Sequence, residues 1–589
     1  MVLIIIAVCM LILGGTLSRT YTVSTLNDRN SQFNLGLNAA DSAVEKVIAR
    51  MRYDYINNAD AGVNSSLTNG TYKVMVPTSG ENAYWGNFQF SDAQGHPSQT
   101  YVAIVSNRTY AVLTGTYAGL SGYRTVYRIV SNVTQPNSHY PSMVNAVQED
   151  VESDSIPIFQ FAIFYNGLME YTWCAPLTVG GLVFANGQIY TGSSADVEFQ
   201  GAVAATMDIT SPAWAGHTVG QYTGSVSYDA GSKVGQPTLV LPIATNTPNA
   251  VQTILQEPPA SEDPNSPLGQ QRLANLAPIN LLITSTNVTA VIQVSINGQV
   301  PGADPSPITL TYTNTPSSLR TNLPFLTTTN TFTDQRENNK TVLVAQIDVG
   351  KYASWLSTNA SVLAKYPAAS SNYPTLLYVA NDTPYNSTQL PAVRLNNGTS
   401  LPYNGGAGFT VATPDPLYVW GNYNCTNSAY LATTNTSATV PAALMCDALT
   451  ILSSAWLDSQ SASSYNGRNP AVDTVNAAVL AGIVLSDTNH AGVPFSGGVM
   501  NFPRLLEDWA NGSGVDLWMN TSIINMFAST MATNIFQNPG AYYTAPTRHF
   551  FYNTSFLSRQ PPGCPNVNVI SRVSWAQVPP NTVNYNVIP

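Results

Sequence analysis

Met-Val-Leu-Ile-Ile-Ile-Ala-Val-Cys-Met-Leu-Ile-Leu-Gly-Gly-Thr-Leu, residues 1–17, opens the chain without a single charged side chain. As a helix rising about 1.5 Å per residue this run reaches roughly 25 Å, just short of a bilayer core, and Thr20 to Leu26 extend it. A secretory signal carries cations before such a run and a small-residue cut site after it. Here the first cation is Arg19, on the far side. By the positive-inside rule Arg19 and Arg29 would hold the bulk of the chain in the cytoplasm, whereas the composition argues for export. The two agree if residue 1 follows a basic leader that has been removed.

Downstream, apolar residues recur at Phe33, Leu37, Ala40, Val44, Val47, Met51 and Tyr55, in alternating steps of four and three. That spacing predicts one helix over residues 1–55, apolar all round at first and amphipathic afterwards. Its expected assembly surface is Val2, Leu3, Ile4, Ile5, Ile6, Val8, Leu11, Ile12, Leu13 and Leu17, continued by Phe33, Leu37, Val44, Val47 and Met51. A membrane anchor followed by an unrelated coiled coil is the alternative reading. Asn-Leu-Gly-Leu-Asn-Ala-Ala-Asp-Ser-Ala-Val-Glu-Lys-Val-Ile-Ala, residues 34–49, resembles the stretch that ends the N-terminal helix of type IV pilins, PilX-like minor pilins in particular. The resemblance covers about 50 residues and implies a subunit held by its helix in the membrane before assembly and in a filament core afterwards. One departure bears on the role: major pilins carry Glu at the fifth mature position, and this chain has Ile5, with no acid before Asp28. In that respect it is similar to minor pseudopilins that cap filaments, so major and minor roles stay open.

The whole chain has 589 residues, of which 9% are charged, against about 25% in a usual soluble domain. Lys and Arg total 22 against 32 Asp and Glu, a net charge of −10, and no basic run occurs. A nucleic-acid binder needs clustered cations, so that class is excluded. Disorder is excluded as well, because 31 Tyr, 18 Phe and 9 Trp are incompatible with an aromatic-poor, charge-rich chain. An extracellular, cell-surface protein fits this composition.

The expected fold class is α+β, mainly β: the long helix, a small antiparallel β domain and a large parallel β-helix-like head. Residues 56–150 read as the small domain packed on the helix, with strands such as Thr71–Val76 and Tyr123–Val130, and the acidic run Glu149–Asp154 as a solvated boundary. Residues 151–250 read as a first coil region, 251–370 as a β-rich insert with a helix over Ala353–Tyr366, and 371–589 as a second coil region with a C-terminal segment. Short strands with Gly or Asn corners, as in Pro176–Tyr190, Thr410–Asn424, Pro441–Trp456 and Thr474–Val484, are what stacked coils require. Val179, Val183, Val411, Val419, Leu444, Ile451 and Val479 are expected to point inward. An ordinary β-sandwich is the alternative. Several segments resemble large pilin-like surface proteins of environmental bacteria: residues 161–170, 180–190, Asp334–Glu337 with Ile347–Val349, 418–424 and Ser496–Arg504. That resemblance implies architecture and names no activity.

Chemistry is sparse. The five histidines, His96, His139, His217, His490 and His549, are dispersed, and no Cys-x-x-Cys, phosphate-binding glycine loop or Gly-x-Ser-x-Gly elbow occurs. Cys425 and Cys446 are the one pair considered for a disulfide; the competing reading is that Cys446, in the apolar run from Ala442, is a buried free thiol. Glu262-Asp263-Pro264-Asn265 and Asp334 with Glu337 offer oxygens to a structural Ca²⁺ but lack EF-hand spacing, and no other cofactor is expected. A polysaccharide lyase or hydrolase would draw on Glu170, Asp196, Glu198, Asp447, Asp458, Glu507 or Asp508. For each the structural reading is stronger, so the expectation is no catalytic site. The expected function is therefore a structural subunit of an extracellular pilus-like filament. Its partners are other pilin subunits, the membrane before assembly, and a carbohydrate or cell-surface ligand. A membrane-anchored surface enzyme and a surface-layer protein are the alternatives.

Overall fold

A computed structural model describes the chain apart from residues 93, 114–119, 173, 194, 212–223, 240–249, 296–299, 368–372, 403–405, 487–497, 511–513, 537–538 and 580–589. His217, His490 and the start of the Ser496–Arg504 segment lie outside the described residues. The chain forms two compact units: Met1–Ile156 with Val567–Pro589, and Pro157–Asn566. The five-part division expected from sequence differs from this, because the β-rich coils and their insert share one continuous core.

In the smaller unit, helix α1 runs Val2–Thr68, past the expected end at residue 55. The sheet packed on it is antiparallel, with β1 (Gln89–Ser91) and β2 (Tyr101–Val112) both pairing with β3 (Ser121–Thr134), and β3 with β4 (Asn145–Pro157). The strand next to β4 is the C-terminal one, Asn566–Gln577, so the chain leaves this sheet and returns to it beside its point of departure. The core is Ala39, Ala40, Ala43, Val44, Val47, Ile48, Met51, Tyr55 and Val63 of α1 against Tyr127, Ile129 and Val133 of β3 and Val147 and Val151 of β4. Small residues on the helix let backbone approach sheet: a Cβ at Gly36 would stand 2.0 Å from the Asn145 side chain.

Two expectations fail here for physical reasons. Thr71–Val76 is not a strand: Tyr72–Val74 is a 3₁₀ turn. It is drawn onto α1 by buried Asp54, which accepts from the Tyr72 hydroxyl at 3.0 Å and from Ser66 at 2.7 Å while Arg50 pairs with it at 2.9 Å. The acidic run Glu149–Asp154 is not a solvated boundary but the middle of β4, with Glu149, Glu152 and Asp154 buried. Its charges find partners across the ladder. Arg128 of β3 grips Asp150 through two bonds of 2.8 and 2.9 Å, Arg124 lies 3.6 Å from Glu152, Arg572 lies 3.4 Å from Glu149, and Ser571 donates to Asp154 at 3.1 Å.

In the larger unit the strands pair in parallel, coil on coil. Residues 177–179, 183–185 and 189–190 lie in register with 197–199, 203–205 and 209–210, an offset of one coil on three faces at once. One inward ladder runs Ile279, Leu377, Val411, Leu444, Val479, Ile523, Ile163, Val183, Val203, each residue the direct partner of the next and each fully buried. The coil from residue 163, first in sequence, thus sits between coils from 523 and 183. A second face stacks Lys340–Asp348, Gln389–Asn396, Pro416–Trp420 and Ala448–Leu452, and a third joins Asp473–Val475, Asp516–Asn525, Thr547–Tyr552 and Leu177–Gly180. The seven residues expected to point inward all belong to the core.

Corners are closed by polar ladders. Asn424, Asn476 and Asn520 hydrogen-bond in file, Asn424 and Asn476 each donating to the other's carbonyl at 2.7 and 3.1 Å and Asn520 donating to the Asn476 amide oxygen at 2.8 Å. At residues 279–313 the ladder continues into a three-stranded antiparallel meander. The single helix expected over Ala353–Tyr366 is two, Val349–Thr358 and Ala360–Lys365, broken where the Asn359 side chain accepts from Ser361 N–H at 3.0 Å and Val362 N–H at 3.2 Å to cap the second.

Candidate functional site

Helix α1 is about 100 Å long at 1.5 Å per residue, and its two halves meet different surroundings. From Val2 to Ser24 the side chains are exposed, with Leu3 at 84% and Leu11 at 76% of full exposure. Val2, Ile4, Ile5, Ile6, Val8, Ile12, Leu13 and Leu17 are likewise exposed. The hydroxyls of Thr16, Thr20, Thr22 and Thr25 donate to carbonyls one turn back, at 2.8–2.9 Å, which leaves no side-chain donor of theirs unsatisfied in an apolar setting. Among the described residues this is the one helix long and apolar enough to cross a membrane.

Contacts with the chain's own fold begin at Thr25, whose carbonyl accepts from the Tyr140 hydroxyl at 3.4 Å, and at Asp28, 2.8 Å from His139, and they close at Gln32. Its amide oxygen accepts from Tyr140 N–H at 3.2 Å, its amide nitrogen donates to Tyr140 O at 2.9 Å and to Ser138, and Gln135 donates to its carbonyl at 2.7 Å. Beyond this clasp Val44, Val47 and Met51 are fully buried against the chain's own sheet, so they are core residues and not a surface offered to another subunit. Phe33 and Leu37 are half-buried at the transition. The change from all-round to one-sided apolar spacing at Phe33 is the sequence signal for this boundary.

Cys425 and Cys446 do not form the bridge considered for them: all five cysteines are free. Cys446 lies inside the strand Ala442–Cys446 opposite Ala481, with burial pushing its thiol pKa up, and the Cys425 thiol donates to Asn427 O at 3.2 Å.

The candidate acids are scattered, each with its own donors. Asp447 accepts from the N–H groups of Thr530, Met531 and Ala532 at 2.6, 3.2 and 3.0 Å and from the Thr530 hydroxyl at 3.1 Å. Glu507 accepts from Ser453 N–H and hydroxyl, both at 2.6 Å, Asp508 from Thr544 at 2.5 Å, and Glu170 from Ser486. Asp458 is gripped by Arg394 at 2.6 and 2.9 Å and by the Trp456 indole at 2.8 Å. Asp196 and Glu198 accept from Ser225 and Thr178 at 2.6 and 3.2 Å on the outer face. Of the acids considered for Ca²⁺, Glu262 is bound by Arg272 at 2.6 and 2.8 Å, while Asp334 accepts from Tyr418 at 2.6 Å and Glu337 pairs with Arg504 at 2.5 Å. Among the described residues no three His, Cys, Asp or Glu side chains come together as metal ligands.

No protein-family model matches the chain, and no curated protein matches it. Among solved structures it is similar to the competence-associated pilin ComZ from Thermus thermophilus, at 11% identity over 90% of this chain and 97% of that one, with a TM-score of 0.28. A superposition of that quality does not define a shared fold.

Proposed function

We propose that the chain is a pilin-like structural subunit of an extracellular filament. It is held in the membrane by residues 2–31 before assembly, joined to other subunits through the same residues afterwards, and displays the Pro157–Asn566 unit for interaction at the cell surface. The observation that carries this reading is a single helix whose first half exposes apolar side chains all round while its second half is the core of a small antiparallel sheet. Exposed apolar surface of that extent needs lipid or other helices around it. We read the large unit as non-catalytic, a reading supported by the engagement of its candidate acids with structural donors.

The test is removal of residues 1–26. The shortened chain is expected to be a soluble monomer by analytical ultracentrifugation, while the full chain partitions into membranes and supports filaments in cells. Filaments assembled from the shortened chain would falsify the assembly role of the helix. Turnover of a polysaccharide that disappears on replacing two of the candidate acids would overturn the non-catalytic reading.

A further inference from the structure

Cations are scarce in the larger unit, and several are committed. Arg272, Lys365, Arg394 and Arg504 are each bound to a carboxylate. Two others line one cleft of about 320 Å³: Arg320, on the helix Pro316–Asn322, and Lys351, on the helix Val349–Thr358. Arg320 is exposed and has no ion-pair partner among the described residues. Lys351 is 64% exposed; its ammonium pairs at 3.4 Å with one oxygen of Asp348, a solvent-screened contact, while the other Asp348 oxygen caps the helix, accepting from Lys351 N–H and from Asn397, each at 2.9 Å.

The segment Leu326–Thr329 also lines the cleft, and Leu319 and Leu326, both buried, form an apolar floor. Thr327 and Thr329 are exposed, and no hydrogen bond engages their hydroxyls among the described residues. No acidic side chain lines the cleft. In a chain of net charge −10, a cleft lined by an unpaired Arg320, an exposed Lys351 that shares only a screened contact with Asp348, free hydroxyls and an apolar floor selects for a ligand that is anionic and hydroxyl-rich. Its volume is at the lower end of small-molecule sites and accommodates one or two sugar rings.

We propose that this cleft binds a carboxylate-bearing saccharide, a uronic-acid residue of a surface or matrix polysaccharide. The Arg320 guanidinium receives the carboxylate, Lys351 adds positive charge, and the Thr327 and Thr329 hydroxyls meet the ring hydroxyls. The inference gives the displayed unit its ligand class and so rests on the reading above. Binding is measured on the isolated chain without assembly, so the two fail separately.

The experiment is calorimetric titration of the full chain in detergent with glucuronate and its oligomers, with glucose as the uncharged counterpart and with polyglutamate. The expected result is saturable binding of the uronate that weakens as salt rises, with glucose bound about tenfold more weakly or worse. Arg320→Ala and Lys351→Ala should each weaken the uronate by about tenfold and leave glucose unchanged. Thr327→Val should weaken both sugars alike. Circular dichroism melts identical to the parent chain show that these exposed substitutions leave folding intact. Absence of uronate binding, equal binding of glucose, or affinity indifferent to both cation substitutions would overturn the proposal. Binding of polyglutamate without uronate would overturn it in favour of an acidic protein partner.

Discussion

Asp447 holds together a turn it never touches in sequence. Three consecutive backbone N–H groups, Thr530 to Ala532, end on its carboxylate, and the residue is 2% exposed. Replacing it by Ala leaves those donors buried and unpaired, at a cost of about 3 kcal/mol; urea unfolding of Asp447→Ala should show a lower midpoint with an unchanged slope. That a carboxylate in the run Ala442–Ile451 needed partners was legible in the sequence, but their location was not, because only the stacking of coils brings residues 530–532 beside it. Burial acts on the protonation of four other acids. Desolvation pushes Asp154 and Asp473 up to about 7, Asp415 up to about 8 and Glu507 up to about 7. Each binds its proton more tightly folded than unfolded, where an Asp or Glu titrates near 4. The folded chain therefore carries more protons than the unfolded chain between about pH 4 and 8, and stability falls as pH rises through that window. Thermal melts should give a higher midpoint at pH 5 than at pH 8. Asp154→Asn should flatten the part of that slope that belongs to the smaller unit, and a midpoint rising with pH would contradict this account.

At the scale of elements, the coils repeat with so little clearance that glycine is required where backbones meet. A Cβ on Gly201 would stand 2.0 Å from the carbonyl oxygen of Gly181 in the coil below, where backbone cannot yield as a side chain would. Gly201→Ala should destabilise the larger unit by about 3 kcal/mol, read as a lowered melting midpoint and early proteolysis within residues 177–210. The repeat was present in the sequence, where Val179-Gly180-Gly181-Leu182-Val183 is echoed by Phe199-Gln200-Gly201-Ala202-Val203, but the longer excursions in later coils disguise the period. Helix α1 was legible because its spacing changes only once. Its last turns were not, since Val63 is the sole buried apolar residue among those described after Tyr55. The strand β4 was hidden by its acidity. A usable signal was the matched spacing of Arg124 and Arg128 with Asp150 and Asp154, which face one another across the β3–β4 ladder in reverse order.

At the scale of the molecule, the first coil made is completed by the last. Ile163 has Ile523 on one side and Val183 on the other, and Leu177–Gly180 pairs with Arg548–Phe551. A chain ending before residue 516 should therefore leave residues 163–210 open to proteases, although every residue of those coils is present. Hydrogen exchange should show their amides protected only in the full chain. Parallel pairing over such separations folds slowly, so refolding should be slower than for a helical protein of similar stability. The parity of the smaller sheet was illegible for the same reason: its C-terminal strand lies beside β4 only after the whole Pro157–Asn566 unit has intervened. That adjacency has a mechanical meaning. A pull delivered through α1 enters the small sheet, and the two tethers of the larger unit, β4 and the C-terminal strand, are bonded to each other there. Tension passes from one tether to its neighbour across their shared hydrogen bonds and does not run through the coils between them. A load that pries the two tethers apart is therefore borne at the small sheet before any of it reaches the coils.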